Sequence, residues 1–443
     1  MQTTHDARIW HPQGWRDGSV PVAGVCETQP RVVPGIANLH SHAFQRAMAG
    51  MAERRTQMPA GAATAAAHDS FWTWRETMYR FAARFTPETL HAVAAQLYAE
   101  MLEAGYTTVC EFHYLHHAAD GSAYADPAAM SRALIAAARD TGIRLTLLPV
   151  LYMTGGFDGR ALDPRQRRFA HSVDDYLRLL ETLRAGQDET LRIGCALHSL
   201  RAVPPDAMRE VLAALPGDSR VHIHIAEQTG EVDECVAVRG ARPVQWLLDN
   251  ASVDERWTLV HATHLDDAEL LGVARSGATV AICPTTEANL GDGLFALGAY
   301  LDAGGRCGIG SDSNSSVSPV EELRWLEYGQ RLATHRRNVA VTAPRSSVGE
   351  SLMHAVTGSA AFATGQPFDA GEGADVLVLD TDAPPFAGAC DADAIDRWLF
   401  SGNRPLVRET RVDGQRVVED GRHLKHDAIA SGYREAMRLL LKD

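Results

Sequence analysis

The chain changes rhythm at Ile36. Before it, residues 6–35 carry short apolar segments broken by turn signals such as Asp17-Gly18 and Pro30, and Ile9-Trp10 and 20–25 predict short strands. After it, short β-rich apolar runs alternate with longer helical patterns. Eight runs predict buried strands, at 36–42, 107–113, 144–151, 191–198, 220–226, 258–262, 278–283 and 306–311. Between them, 87–104, 127–141, 173–185, 205–214, 243–248 and 266–276 predict helices. Several have Pro in the first turn, and Gly105, Gly142 and Gly277 stand at C-terminal ends. Eight strand–helix units predict an α/β fold, a (β/α)8 TIM-type barrel over residues 36–365.

After Gly365 the β character returns. Residues 374–379 alternate as a strand, and 407–412, Asp413-Gly414 and 415–419 predict a hairpin with a type I′ turn. Residues 427–442 predict a closing helix. Residues 1–35 and 366–443 are therefore expected to pair into one small composite β domain beside the barrel, the second segment adding the final helix. Residues 57–69, rich in Ala and Gly with Pro59, predict a surface loop after the first barrel strand; a lid and a plain linker fit it equally.

Composition narrows the class. A chain of 443 residues is too long for one small core, which agrees with a barrel plus a smaller domain. With 45% hydrophobic and 22% charged residues it has the make-up of a soluble globular protein. A net charge of −14 argues against binding nucleic acid or an anionic membrane. No apolar run reaches membrane-spanning length, and the first fifteen residues lack the basic and apolar blocks of a signal peptide, so a cytoplasmic location is expected. The seven cysteines show no Cys-x-x-Cys spacing and read as reduced core residues. The only lysines are Lys425 and Lys442, which excludes any mechanism needing a lysine on an internal strand.

Barrel chemistry sits at the C-terminal ends of the strands. The first strand ends His40-Ser41-His42, whose i and i+2 imidazoles share a face. The fifth reads His222-Ile223-His224-Ile225-Ala226-Glu227; His224 lies nearer the end and is the candidate third ligand, His222 a deeper buried histidine. The sixth ends at His261 and the eighth at Asp312. His40, His42, His224 and Asp312 suit a catalytic Zn²⁺ with one position left for water. A charged residue ending a buried strand is rare without a partner, which marks Asp312 and His224. His113 fits a core position, and His116, His117 and His264 fit structural or surface positions.

This pattern resembles the amidohydrolase superfamily, over nearly the whole chain. Members with two metals bridge them by a modified lysine on strand four; here that strand ends Ala196-Leu197-His198, so the resemblance implies the mononuclear, deaminase branch and one Zn²⁺ per chain. His224-Ile225-Ala226-Glu227 matches the His-x-x-Glu of that branch, whose Glu moves protons to the leaving amine. Four blocks are closer still: Asn38 to Arg46, Phe71-Trp72-Thr73-Trp74-Arg75, Glu111 to His117, and His198-Ser199-Leu200-Arg201. They resemble the formimidoylglutamate deiminase family of histidine degradation. The resemblance implies that Gln45, Arg75, Tyr114, His198 and Arg201 bind substrate, that Glu227, His261 and Asp312 are catalytic, and that the enzyme is a homodimer.

Residue chemistry alone leaves several of these open. Arg75 follows a Trp-x-Trp pair and also fits stacking on an aromatic. Arg201 fits a solvated loop, Tyr114 a barrel rim, and Gln45 a turn cap. In favour of the substrate, N-formimidoyl-L-glutamate carries two carboxylates that a chain at −14 would repel unless arginines meet them locally. The expected reaction is zinc-dependent hydrolysis to N-formyl-L-glutamate and ammonia. Asp312 would take the water proton, His261 would orient the attacking oxygen, and Glu227 would protonate the terminal nitrogen. The alternatives are a sister deaminase acting on guanine or another ring amidine, a chlorohydrolase-like member, and, from a different class, a non-catalytic barrel scaffold that would have lost its ligands.

Overall fold

The computed structural model describes residues 2–54, 69, 71–368 and 374–442. The loop predicted over 57–69 lies, apart from Asp69, outside them. Parallel strands pair in chain order around the barrel: Ile36–Ser41, Tyr106–His113, Arg144–Leu151, Leu191–Ile193 with Cys195–Ser199, Val221–Ile225, Trp257–His261, Thr279–Ile282 and Arg306–Ile309. Their side chains are almost all buried, the near-continuous apolar signature of strands covered on both faces.

The fourth strand departs from the single run predicted over 191–198. It breaks at Gly194, where a Cβ would lie 2.5 Å from Leu148 Cδ2 and 3.1 Å from the Arg220 carbonyl oxygen. Leu191–Ile193 pairs only with the third strand, whereas Cys195–Ser199 bridges the third and the fifth. A periodicity count passes through one glycine in an apolar run, so the break is invisible locally.

The barrel seam closes at the residues that carry the chemistry. Asp312 N donates to the His40 carbonyl at 2.9 Å, and His42 N donates to the Asp312 carbonyl at 3.0 Å. Gly310 lets the two strands approach: a Cβ there would stand 2.8 Å from His40 Cβ and 3.0 Å from both His40 N and O. Gly310→Ala should therefore push the first strand outward and cost about 1–3 kcal/mol as overpacking. The expected result is a lower melting temperature together with weaker zinc binding. A variant that melts lower but binds zinc like wild type would separate seam packing from ligand placement.

A seven-stranded sheet lies beside the barrel, in the order Arg422–His423, Gln415–Glu419, Val407–Val412, Val376–Leu379, Arg31–Pro34, Gln2–His11, Gly14–Ala23. Both termini contribute to it. Its N-terminal hairpin is much longer than the short strands predicted, pairing from Gln2 with Ala23 to His11 with Gly14. The apolar segments marked only its packed positions, such as Ala7, Val20 and Val22 against Val32 and Val378; the intervening polar residues are the solvent face of the same strands. The C-terminal hairpin has the predicted turn, with Asp413 at φ +51° and Gly414 at φ +70°. Arg144 ties sheet to barrel, its Nε 3.0 Å from the buried Asp375 carboxylate.

Pro87–Ala104 and Pro205–Ala214 keep their predicted bounds. Helices Phe71–Ala82, Thr229–Arg239, Pro319–Thr334 and Val348–Thr364 lie outside the predicted helical runs. Val348–Thr364 packs on the first and eighth barrel strands and buries Ser351, Ser359 and Thr364 along with its apolar residues, so little amphipathic contrast marks it. No helix among the described residues is long and apolar enough to cross a membrane. All seven cysteines are free, and Cys110, Cys195, Cys235, Cys283 and Cys307 are buried as expected; Cys26 is half-buried and Cys390 exposed.

Candidate metal centre and catalytic cavity

The strand ends are conformationally unusual. Ala226, His261, Ala262, Asp312 and Asn314 all have positive φ, between +47° and +67°, at the ends of the fifth, sixth and eighth strands. Left-handed non-glycine residues cost roughly 1–3 kcal/mol each and persist where the surroundings over-determine them. Here Asn314 supplies part of that restraint. Its Nδ2 donates to the His42 and Asp312 carbonyls at 3.0 Å each, and its Oδ1 accepts from Ser311 Oγ at 2.6 Å. Asn38 Oδ1 accepts from Ser311 N at 3.0 Å, fixing the same strand end from below.

Three imidazoles converge there. His40 Nε2 lies 3.2 Å from His42 Nε2 and 3.0 Å from His224 Nε2; Asp312 Oδ1 is 3.4 Å from His40 Nε2 and 3.3 Å from His42 Nε2. The tautomers follow from the other ring nitrogens. His42 Nδ1 faces the Phe112 carbonyl at 2.8 Å and His224 Nδ1 the His198 carbonyl at 3.1 Å. A carbonyl only accepts, so both Nδ1 atoms carry hydrogen and both Nε2 atoms present lone pairs. Burial pushes the His40 imidazole down to about 3, and lowers His42 and His224 too, so the rings stay neutral. Burial would raise Asp312, but the surrounding imidazoles, His40 first and then His261 and His42, outweigh it and hold the carboxyl below its ordinary range. Facing lone pairs beside a carboxylate have no protein donor to satisfy them. The donors fit a divalent cation with a preference for nitrogen and oxygen: His40, His42 and His224 form one set of mutually close ligand atoms, and His40, Asp312 and His261 a second that shares His40.

His261 sits next to the same position. Its Nε2 is 3.8 Å from Asp312 Oδ2 and 3.9 Å from Glu227 Oε1, and its Nδ1 faces Glu287 Oε1 at 3.2 Å. Burial works against charge on this ring, but the Glu227 and Glu287 carboxylates win and raise it well above the ordinary histidine value. Burial raises the Glu227 carboxyl, with His261 opposing. A carboxyl that holds a proton more readily than usual suits an acid–base role. Glu231 fixes its backbone, Oε2 accepting from Glu227 N at 3.0 Å.

Above these groups opens a cavity of about 140 Å³, small enough to select a compact ligand. All the predicted substrate-binding and acid–base residues line it: Gln45, Arg75, Tyr114, His198, Arg201, Glu227, His261 and Asp312. Of the predicted metal ligands His42 and His224 line it as well, while His40 is buried beneath. Gln45 Nε2 donates to Tyr114 Oη at 3.0 Å, so the two act as one unit. The guanidinium of Arg75 lies 5.3 Å from the Tyr79 ring, so the stacking contact and the cavity position coexist. His222 donates from Nε2 to the Ala363 carbonyl at 2.9 Å, and His116 makes the same contact to Val150 at 3.0 Å; both are structural, as expected. Sequence reading did not mark Glu287, Glu231, Gln228 or Tyr152. Glu287 stands in the first turn of the short helix Pro284–Leu290, and no residue spacing distinguishes it from an ordinary N-terminal acidic residue.

A parallel barrel with histidines and an aspartate converging at its C-terminal rim defines a metal-dependent hydrolase fold. The chain belongs to the amidohydrolase family, whose profile matches residues 31–415. It is 49% identical to a formimidoylglutamate deiminase from Pseudomonas aeruginosa, over 97% of this chain and 92% of that protein. It is 28% identical to a 5-methylthioadenosine/S-adenosylhomocysteine deaminase from Natronomonas pharaonis, over 88% and 81%. Among solved structures, an amidohydrolase from Brucella melitensis superposes with a TM-score of 0.90 at 42% identity, covering all of both chains. An adenosine deaminase from Xanthomonas campestris with bound zinc shares the fold, with a TM-score of 0.77 at 20% identity over 99% of this chain and 98% of that one.

Proposed function

We propose that this chain is a formimidoylglutamate deiminase of histidine degradation, which hydrolyses N-formimidoyl-L-glutamate to N-formyl-L-glutamate and ammonia. The observation that carries the reading is a cavity with two arginines, Arg75 and Arg201, on the same walls as an acid–base cluster. A linear amidine with two carboxylates uses both; a neutral ring amidine, as in guanine, has no need of two guanidiniums. The close likeness to the Pseudomonas aeruginosa deiminase supports the same substrate.

His40, His42, His224 and Asp312 would hold one zinc ion, and no internal lysine is present to bridge a second. A bound ion would supply Lewis acidity that makes water nucleophilic near neutral pH. The chain's own groups do the rest. Asp312 accepts the proton of the attacking water. His261, charged between its carboxylates, orients the incoming oxygen and offsets the negative charge that develops on it. Glu227 delivers a proton to the terminal nitrogen, so ammonia leaves. A proton placed on the inner nitrogen would release glutamate and formamide instead, which makes the position of Glu227 the determinant of the product. The family likeness extends the proposal to a homodimeric, cytoplasmic enzyme.

The test is ammonia release from N-formimidoyl-L-glutamate by metal-analysed protein, beside guanine and S-adenosylhomocysteine. One equivalent of zinc per chain and turnover of the linear amidine alone are expected. Purine turnover in its place would sink the substrate, and a requirement for two equivalents would sink the mononuclear centre.

A further inference from the structure

The third barrel strand, Arg144–Leu151, ends without any of the groups already given a role, yet the residue following it faces the cavity. Tyr152 is 4% exposed. Its Oη accepts a hydrogen bond from Gln166 Nε2 at 2.8 Å. The orientation of that amide is settled by the short helix Pro164–Phe169. Asp163 N, which only donates, gives its hydrogen to Gln166 Oε1 at 2.8 Å, so the end facing Tyr152 is the NH2. The phenol oxygen therefore receives a hydrogen, and its own hydrogen has no acceptor among the described residues. A buried hydroxyl held as an obligate donor on a cavity wall is a site for an anion.

Its place along the cavity says which anion. From the metal centre outward the rings run His224, His198, Tyr152, with centroid separations of 5.2 and 4.4 Å. Phe169 packs 6.0 Å from Tyr152 and 5.1 Å from Tyr114, and next to it lies Tyr79, against which Arg75 packs. Both arginines reach this wall: the charges of both act on His198 and Tyr79, and that of Arg201 also on Glu227 and Glu231. In N-formimidoyl-L-glutamate the side-chain carboxylate is two bonds farther from the reacting carbon than the α-carboxylate. We propose that Tyr152, oriented by Gln166, is a specificity-determining donor to the distal carboxylate and acts beside Arg75. The assignment rests on the substrate class given above.

Tyr152→Phe removes only the hydroxyl. The ratio of kcat/KM for N-formimidoyl-L-glutamate to that for N-formimidoyl-L-2-aminobutyrate, which lacks the distal carboxylate, should fall about 10- to 100-fold, mainly through KM. Gln166→Glu keeps an acceptor for Asp163 N but turns the Tyr152 hydrogen back onto itself. It should lose the same factor, and the double variant no more than either single one. Calorimetric binding of N-formyl-L-glutamate and N-formyl-L-2-aminobutyrate repeats the comparison without turnover. If wild type fails to hydrolyse the amidine, the reaction is wrong, and the binding arm still decides the subsite. Wild type with no preference for the dicarboxylate overturns the proposal. So does a Tyr152→Phe protein that keeps its preference, or one that loses equally on both compounds.

Discussion

Glu227→Gln is expected to lower kcat on N-formimidoyl-L-glutamate by about 10²–10⁴, with zinc content and binding of a substrate analogue near wild type. Glutamine keeps the size and most hydrogen bonds of the side chain but relays no proton. Glu227 is three residues beyond His224, past the left-handed Ala226, and this turn separates the two roles. His224 points its Nε2 into the imidazole cluster, whereas the Glu227 carboxylate comes no closer than 3.9 Å to His261 and lines the cavity. The Glu231 carboxylate holds the Glu227 amide, so the substitution should leave the backbone in place. Loss of zinc from the variant would make Glu227 a ligand and the coordination set wrong. Wild-type turnover would pass the proton to another group, of which His261 is the nearest.

Much of this site was legible because barrel strands make position meaningful. In a strand whose faces are both buried, a histidine or aspartate at the last residue has few roles other than chemistry. His40-Ser41-His42, His224, His261 and Asp312 each stand at such an end. The groups that orient them were not legible. The Phe112 and His198 carbonyls fix the tautomers of His42 and His224, and a carbonyl carries no residue identity. Glu287 fixes His261 across 26 residues of chain, and its helix has no pattern that singles it out. Tyr152 reads as one more aromatic after an apolar strand; only the direction of the Gln166 amide makes its hydroxyl a donor. The same limit applies to the fold. Strand order follows from alternation, but the break at Gly194 and the approach at Gly310 depend on Leu148, Arg220 and His40, which are remote in sequence or across the seam.

The two arginines carry the substrate's charge, and their replacement should separate into different kinetic signatures. Arg75→Met and Arg201→Met are each expected to cost about 2–5 kcal/mol of transition-state binding, roughly 30- to 5,000-fold in kcat/KM, with zinc retained. Methionine preserves an apolar stem of similar reach, so the packing of Arg75 over Tyr79 is largely replaced rather than deleted. The chain's net charge of −14 works against a dianion at long range, so local guanidiniums have to supply the attraction. Arg75 packs against Tyr79, and its loss should raise KM while kcat changes little. Arg201 also lowers the Glu227 and Glu231 carboxyls through its charge. Without it both carboxyls rise further, and Glu227 gives up its proton less readily. Arg201→Met should therefore lower kcat as well as raise KM. Steady-state kinetics on N-formimidoyl-L-glutamate, with zinc measured on the same samples, checks both. Unchanged constants for the two variants would mean that the carboxylates are held elsewhere. A kcat defect confined to Arg75→Met would reverse the roles of the two arginines.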